Sequence, residues 1–346
     1  MATTSATDSF GMVEATAALP EQVAAAGERA QGLPGLPAFE DIQSVVVLGM
    51  GGSGIAGDLV AAVAQPFMPV PVVVAKSYEL PAFVGEGTLV FAVSFSGDTE
   101  ETVEAASEAA VQGAKIVAVS RGGELTRLAK AWGAPVVPVP DDIPVPRAGV
   151  GALAVPPLIV LEDIGLFPGA RQWVAEAVRS LNARRDDLAG GLPLVTDLAR
   201  AIGRTIPLIY GGGSIGGVAA MRWKTQMNEN AKLPAFWNAQ PELCHNEIAG
   251  WGQHGDLTRQ AITIVALRHD FEHPQVMRRF ELVFRMVDEA VAGILEVRAR
   301  GEGQLAQLLD LMLVGDFVSL QLAMNEGIDP GPVPALDEIK IALKEG

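Results

Sequence analysis

The sequence predicts an α/β protein in which one design, a parallel sheet flanked by helices, occurs twice. Three observations carry that expectation. Short β-branched apolar runs alternate with helical patterns from Ser44 to Val139, the spacing of βαβ units. A strand runs into a glycine–serine loop and then a helix at two places, VVVLGMGGSG from Val45 and PLIYGGGSIG from Pro207. The chain has 346 residues, long enough for two ordinary domains, and its 38 Gly and 23 Pro punctuate a composition that is 49% hydrophobic.

Composition also narrows the function. A net charge of −16 argues against a nucleic-acid partner, because phosphate-backbone binding needs basic surface. A small anion is not excluded, since backbone N–H groups can hold one locally. Cys244 is the only cysteine, so no intrachain disulfide forms, which suits a reducing compartment. MATTSATDSF lacks a basic region followed by an apolar core. No uncharged apolar run reaches the ~18 residues of a membrane span. The expectation is a cytoplasmic protein without membrane or nucleic-acid partners.

In order, the chain begins with a helix over Met12–Ala30, broken by Gly32-Leu33-Pro34-Gly35-Leu36-Pro37. Strands follow at Ser44–Leu48, Val70–Ala75, Thr88–Ser94, Lys115–Ser120 and Pro135–Val139. Helices lie between them, from Ile55, over Glu100–Gln112 and over Glu124–Ala131. Six prolines between Pro138 and Pro157 read as a domain connection with Arg147 in its middle. Helices at Gly151–Ile164 and Arg171–Leu188 lead to the second copy. There Ile206–Tyr210 is a strand, Ile215–Lys232 a helix, Ile262–Leu267 a strand, Pro274–Val287 a helix and Val291–Val297 a strand. A long helix over Gln304–Asn325 and a helical tail over Val333–Lys344 close the chain. The second copy has no good counterpart of the SFSGDT that ends the third strand of the first.

Two loops point to chemistry. Gly49–Gly54 (GMGGSG) meets neither the dinucleotide fingerprint nor the P-loop pattern, and alone it is a tight strand-to-helix turn. Ser94-Phe95-Ser96-Gly97-Asp98-Thr99 adds hydroxyls at Ser94, Ser96 and Thr99 where a strand meets a helix start. Simple N-capping by Ser96 or Asp98 is the alternative. Two such loops on successive βα turns favour a bound phosphate.

The third candidate is Met221–Gly250. It crowds Glu229, Lys232, Trp237, Glu242, Cys244, His245 and Glu247 into one short span. Glu229 sits in the last turn of its helix, where the dipole disfavours a carboxylate and tunes it toward a base. A surface Glu paired with Lys232 is the equal alternative. His245 is a core or capping histidine, an acid–base group, or a metal ligand with Cys244, Glu247 and His254. The absence of C-x-x-C and H-E-x-x-H spacing weighs against metal. Arg147 is a solvated loop charge or a guanidinium placed to stabilise an oxyanion. Trp237 and Trp251 read as packing residues.

These motifs carry a family resemblance. GMGGS with SxSGxT resembles the sugar isomerase (SIS) domain, and NENAK, PELCHNEIAGW, Arg147 and the DPGPV tail resemble the bifunctional phosphoglucose/phosphomannose isomerase family from about Asp41 onward. The resemblance implies an α/β fold of two SIS-type (flavodoxin-like) domains plus a C-terminal helical tail. Its domains are residues 40–165 and 166–330, after a lead-in of 1–39 and before a tail of 331–346. It implies a cofactor-free, metal-free aldose–ketose isomerase of phosphosugars, with a non-catalytic phosphosugar sensor as the alternative. Gly51, Gly52, Ser53, Ser94, Ser96 and Thr99 would hold the phosphate. Arg147 would stabilise the enediolate, and Glu229 would shuttle the proton. His245, reaching across from the partner subunit of a homodimer, would assist ring opening, joined by Lys340 (or Lys344). Gly331 departs from the family, which often has a threonine there, linked to accepting both C2 epimers.

Overall fold

A computed structural model describes residues 7–189 and 193–345. The chain forms two compact units. The first comprises Ala18–Arg184 and Arg300–Asp310, and the second Met1–Ala17, Arg185–Ala299 and Leu311–Gly346.

The chain starts with α1 (Met12–Ala17) and α2 (Leu19–Arg29), where a single helix is the sequence expectation. Pro20 explains the split. It sits in the first turn of α2, a place that tolerates its missing N–H, whereas inside a continuous helix it would remove a hydrogen bond.

The first unit then runs β1 (Ser44–Leu48), α3 (Gly51–Ala64), β2 (Val72–Ala75), β3 (Thr88–Ser94), α4 (Glu100–Val111), β4 (Lys115–Ser120), α5 (Gly123–Trp132), β5 (Val136–Pro138) and α6 (Val150–Ile164). Its sheet is parallel throughout, in the order β2-β1-β3-β4-β5. All of β1 and β3 is buried, as their unbroken apolar runs require. The order reverses between β1 and β3, so the crevice outside their carboxyl ends is the natural ligand position. The proline-rich stretch lies within this unit. Pro156 and Pro157 are inside α6, which is buried along nearly its whole length.

α7 (Ala170–Ala189) leads into the second unit, which continues α8 (Leu194–Ile202), β6 (Ile206–Gly212), α9 (Gly213–Glu229), β7 (Phe236–Gln240), α10 (Gly255–Ala261), β8 (Ile262–Arg268), α11 (Pro274–Val287) and β9 (Gly293–Arg298). The sheet order is β7-β6-β8-β9, again all parallel. Strand β7 and helices α8 and α10 have no counterpart in the sequence expectation. The β7 sequence, FWNAQ, is not a continuous apolar run, and Phe236 and Trp237 face outward on an edge strand. α12 (Gln304–Asn325) and α13 (Pro334–Glu345) complete the chain. Among the described residues α12 is the one helix long and apolar enough to cross a membrane, and 89% of its apolar window is buried within the protein.

Candidate functional site

In the first unit the two loops meet at the switch point. β1 pairs with β3 as far as Leu48 and Ala92, so the turns that follow lie side by side. Gly51 opens α3 at φ 52°, a conformation that a side chain would strain. Neither α3, N-capped by Met50, nor α4, N-capped by Thr99, has a side chain on its first-turn N–H groups. Ser96 instead accepts a bond from Asp98 N at 3.2 Å, and Asp98 turns away to accept from Glu124 N at 2.9 Å. Simple capping therefore does not account for this loop, and two helix starts remain open to an anion.

The hydroxyls are oriented by the loop itself. Ser53 Oγ accepts from Phe95 N at 3.2 Å, which leaves its O–H to donate. Fully buried Ser94 accepts from Gly97 N at 3.1 Å and donates to Thr99 Oγ1 at 2.9 Å. Its one proton is thus spent on Thr99 Oγ1; Thr99 and Ser96 each act as acceptor here and keep their own O–H to donate.

Arg147 joins this cluster. It lies in a short 3-10 turn, Pro146–Ala148, and is 5% exposed. A Cβ on Gly52 would stand 3.0 Å from the Pro146 carbonyl oxygen and 3.2 Å from Arg147 N, so only glycine lets this turn approach α3. Arg121 was not singled out by sequence reasoning. Its guanidinium lies 4.2 Å from the Phe95 ring centre and donates to the carbonyls of Pro140 and Ile143, fixing the segment that leads to Arg147. An arginine directly after a strand in a parallel sheet was the available signal.

The second unit holds the remaining candidates. α9 ends at Glu229, three residues before the expected Lys232. Lys232 turns left-handed at φ 54°, and its ammonium donates to the main-chain carbonyls of Glu229 (2.7 Å), Asp329 (3.2 Å) and Pro330 (3.3 Å). This cation at the C-terminal end of the helix ties the half-buried Glu229 to the 329–331 turn. Along its length α9 is held to α12. Trp223 Nε1 donates to Leu311 O at 2.7 Å, and Asn230 Nδ2 donates to Ser319 Oγ at 2.9 Å.

His245 is exposed at the end of a 3-10 turn, Glu242–His245. The segment behind it is anchored at Glu247, which accepts from Tyr210 Oη and, at 2.7 Å, from Asn238 Nδ2. Burial, and then the Glu247 carboxylate, push the Tyr210 hydroxyl well above its ordinary pKa, so it stays a donor. Cys244 Sγ donates to Gln240 Oε1 at 3.1 Å. Among the described residues no group of three His, Cys, Asp or Glu side chains could hold a metal. Trp237 is 40% exposed, whereas Trp251 lines a cavity of about 310 Å³ with Leu208, Phe236 and Ile262. Tyr210 was missed because it looks like an ordinary strand residue, and Asn238 because no strand was expected at Phe236–Gln240.

Lys340 is exposed on α13, and the side chain of Lys344 lies outside the described residues. Gly331 has a neighbour that accounts for its size: a Cβ there would be 2.7 Å from Phe10 Cγ. Asp329 holds this contact together by accepting from Ser9 N at 3.3 Å and from Gly331 N at 3.0 Å.

The chain resembles known proteins along almost all of its length. The bacterial phospho-glucose isomerase C-terminal SIS domain matches residues 195–343, and the SIS domain matches residues 38–132. A bifunctional phosphoglucose/phosphomannose isomerase from Caldicellulosiruptor bescii is 34% identical over 339 residues, covering 96% of this chain and 99% of its own. One from Aquifex aeolicus is 32% identical over 307 residues, covering 88% and 91%. Among solved structures, tagatose-6-phosphate ketose/aldose isomerase from Escherichia coli superposes with a TM-score of 0.68 at 14% identity, covering 96% of this chain and 98% of its own. The C-terminal domain of glucosamine-fructose-6-phosphate aminotransferase from Francisella tularensis gives 0.69 at 16%, covering 93% and 97%. At those identities the two structures establish the fold.

Proposed function

The chain belongs to the bifunctional phosphoglucose/phosphomannose isomerase family, and on that premise we propose that it interconverts glucose 6-phosphate and mannose 6-phosphate with fructose 6-phosphate through a cis-enediol. The observation that carries the reading is the anion cradle of the first unit: two uncapped helix starts, the hydroxyls of Ser53, Ser96 and Thr99, each an acceptor within the loops that keeps its own proton, and the Arg147 turn packed against Gly52.

In this reading the 6-phosphate takes the N–H groups of Gly51 and Gly52 and the three hydroxyls, with Ser94 aiming Thr99. Glu229 removes the proton from C2 and returns it to C1. Arg147 stabilises the negative charge that develops on the enediolate oxygens. His245 and Lys340 exchange protons with the ring oxygen and O1 as the sugar opens. His245 is supplied by the partner subunit of a homodimer, in keeping with its exposure. The reaction consists of proton transfers alone, so side chains suffice and no cofactor is called for. The enediol has no configuration at C2, so both epimers pass through it.

The test is a coupled assay with glucose 6-phosphate and mannose 6-phosphate on the wild type and Glu229→Gln. Loss of the base lowers kcat by about two to four orders of magnitude while substrate binding persists. Near-normal turnover by the variant would remove Glu229 from the role. Substrate binding with no solvent deuterium appearing at C2 in the wild type would make the protein a sensor instead.

A further inference from the structure

The two units repeat one design closely enough to be compared residue by residue. Gly49 and Gly211 follow equivalent strand positions, and Gly51 (φ 52°) and Gly213 (φ 59°) open the next helix in the same conformation. Leu48 pairs with Ala92, and Tyr210 with Ala266. α4 begins at Glu100 after Thr99, and α11 begins at Pro274 after His273. Both connecting loops therefore have the same length, and Ser94–Thr99 (SFSGDT) aligns with Arg268–His273 (RHDFEH).

None of the four hydroxyl positions of the cradle keeps its hydroxyl in the second copy, where Ser214 instead takes the place of Gly52. Ile215 replaces Ser53, Arg268 replaces Ser94, Asp270 replaces Ser96 and His273 replaces Thr99. His273 caps its own helix by accepting from Gln275 N at 3.1 Å. Asp98 and Glu272 occupy the same loop position and point opposite ways. Asp98 turns out to the first turn of α5, and Glu272 turns in. Arg268 donates to Glu272 through Nε (2.9 Å to Oε1) and Nη2 (2.8 Å to Oε2), and His269 N donates to Oε1 at 3.2 Å. Arg268 is 5% exposed and Glu272 7%. The carboxylate lies against Gly212, where a Cβ would be 3.1 Å from Oε1, and His269 Nε2 bonds the Gly212 carbonyl at 2.8 Å.

We propose that Glu272 is a built-in ligand. Its carboxylate fills the loop of the second unit that corresponds to Ser94–Thr99, held by Arg268 and His269 N against Gly212, and it closes that loop to phosphosugars. It also locks the β6–α9 turn, so that α9 starts from a fixed point and presents Glu229 at its other end. Glu272 is thus a positioning residue, and this last step rests on Glu229 being the base.

Calorimetric titration with inorganic phosphate and with glucose 6-phosphate gives one site per wild-type chain and none in Ser96→Ala/Thr99→Ala. A site surviving in that double variant overturns the proposal. In Glu272→Ala, formate refills the emptied carboxylate position and raises Tm, while the wild type does not respond. kcat falls about ten- to a hundredfold with KM nearly unchanged, and formate recovers part of it. A Glu272→Ala protein with wild-type kcat and no formate response overturns the proposal. If that variant does not fold, Glu272→Gln keeps the shape and loses the charge. A normal kcat there, or a second phosphate site in the wild type, has the same force. Stoichiometry and the formate shift are read without turnover, so they stand or fall apart from the isomerase reading.

Discussion

Arg222 and Asp316 close a buried ion pair between α9 and α12, with Nε to Oδ1 at 3.1 Å and Nη2 to Oδ2 at 2.6 Å. The pair is two helical turns upstream of Glu229 and almost wholly shielded from solvent. Removing one partner strands the other charge in the core. Asp316→Ala is expected to lose about 3–5 kcal/mol of stability in urea unfolding, and Asp316→Ala/Arg222→Met less than that single change. Equal loss in the single and double variants would show that the pair is not the source.

Gly52→Ala tests the approach of Arg147. The added Cβ meets backbone rather than a flexible side chain, 3.0 Å from Pro146 C and O, so the 3-10 turn must move. The expected cost is about 1–3 kcal/mol of stability. A rise in KM for glucose 6-phosphate and a fall in kcat should accompany it, because in the proposed mechanism the phosphate anchor and the oxyanion group shift together. Steady-state kinetics beside thermal unfolding separates the two effects.

Asp310 gives a pH signature. Burial pushes its carboxyl up to about 6, although Arg184 Nε lies 3.0 Å away and pulls it down. A raised carboxylate pKa means the fold prefers the protonated form. The group is neutral in both states at low pH, is protonated only in the fold between about 4 and 6, and weighs against the fold above that. Stability therefore falls as pH rises through this window. Relative to Asp310→Asn, the wild type should lose up to about 3 kcal/mol between pH 4 and pH 7, measured by urea midpoints. Parallel curves for the two proteins would show an unshifted Asp310.

Gly331→Thr puts a side chain where Phe10 now sits, with the first atom 2.7 Å from Cγ. The single variant should lose about 1–3 kcal/mol, and Phe10→Ala in the same chain should restore part of it, a coupling that a double-mutant cycle reads directly. The ratio of mannose 6-phosphate to glucose 6-phosphate turnover in the double variant tests whether this pair shapes epimer preference.

Much of the first unit was legible in order. β1, β3 and β4 form where continuous β-branched runs announce them, and α4 starts at the expected acidic turn, because these elements answer to near neighbours and to burial on both faces. The two glycine–hydroxyl loops of the proposed cradle were legible as residue types, but their wiring was not. That Ser94 spends its proton on Thr99, and that Asp98 serves α5, depends on residues up to 26 positions apart. In Met221–Gly250, the presence of Glu229 and His245 stood out by residue type. The early end of α9 and the strand β7 did not, because Lys232 finds its carbonyl partners nearly a hundred residues onward and β7 gains its ladder only from β6.

The sequence alone determined the strand–loop–helix units, their repetition and the family to which the chain belongs. Tertiary structure decided which way each charged side chain faces. Glu272 and Asp98 occupy the same loop position, yet one turns in to Arg268 and the other out to Glu124. Periodicity reports which face of an element is apolar. A buried carboxylate is stable only where a guanidinium and backbone N–H groups converge on it, and those partners are assembled by the fold.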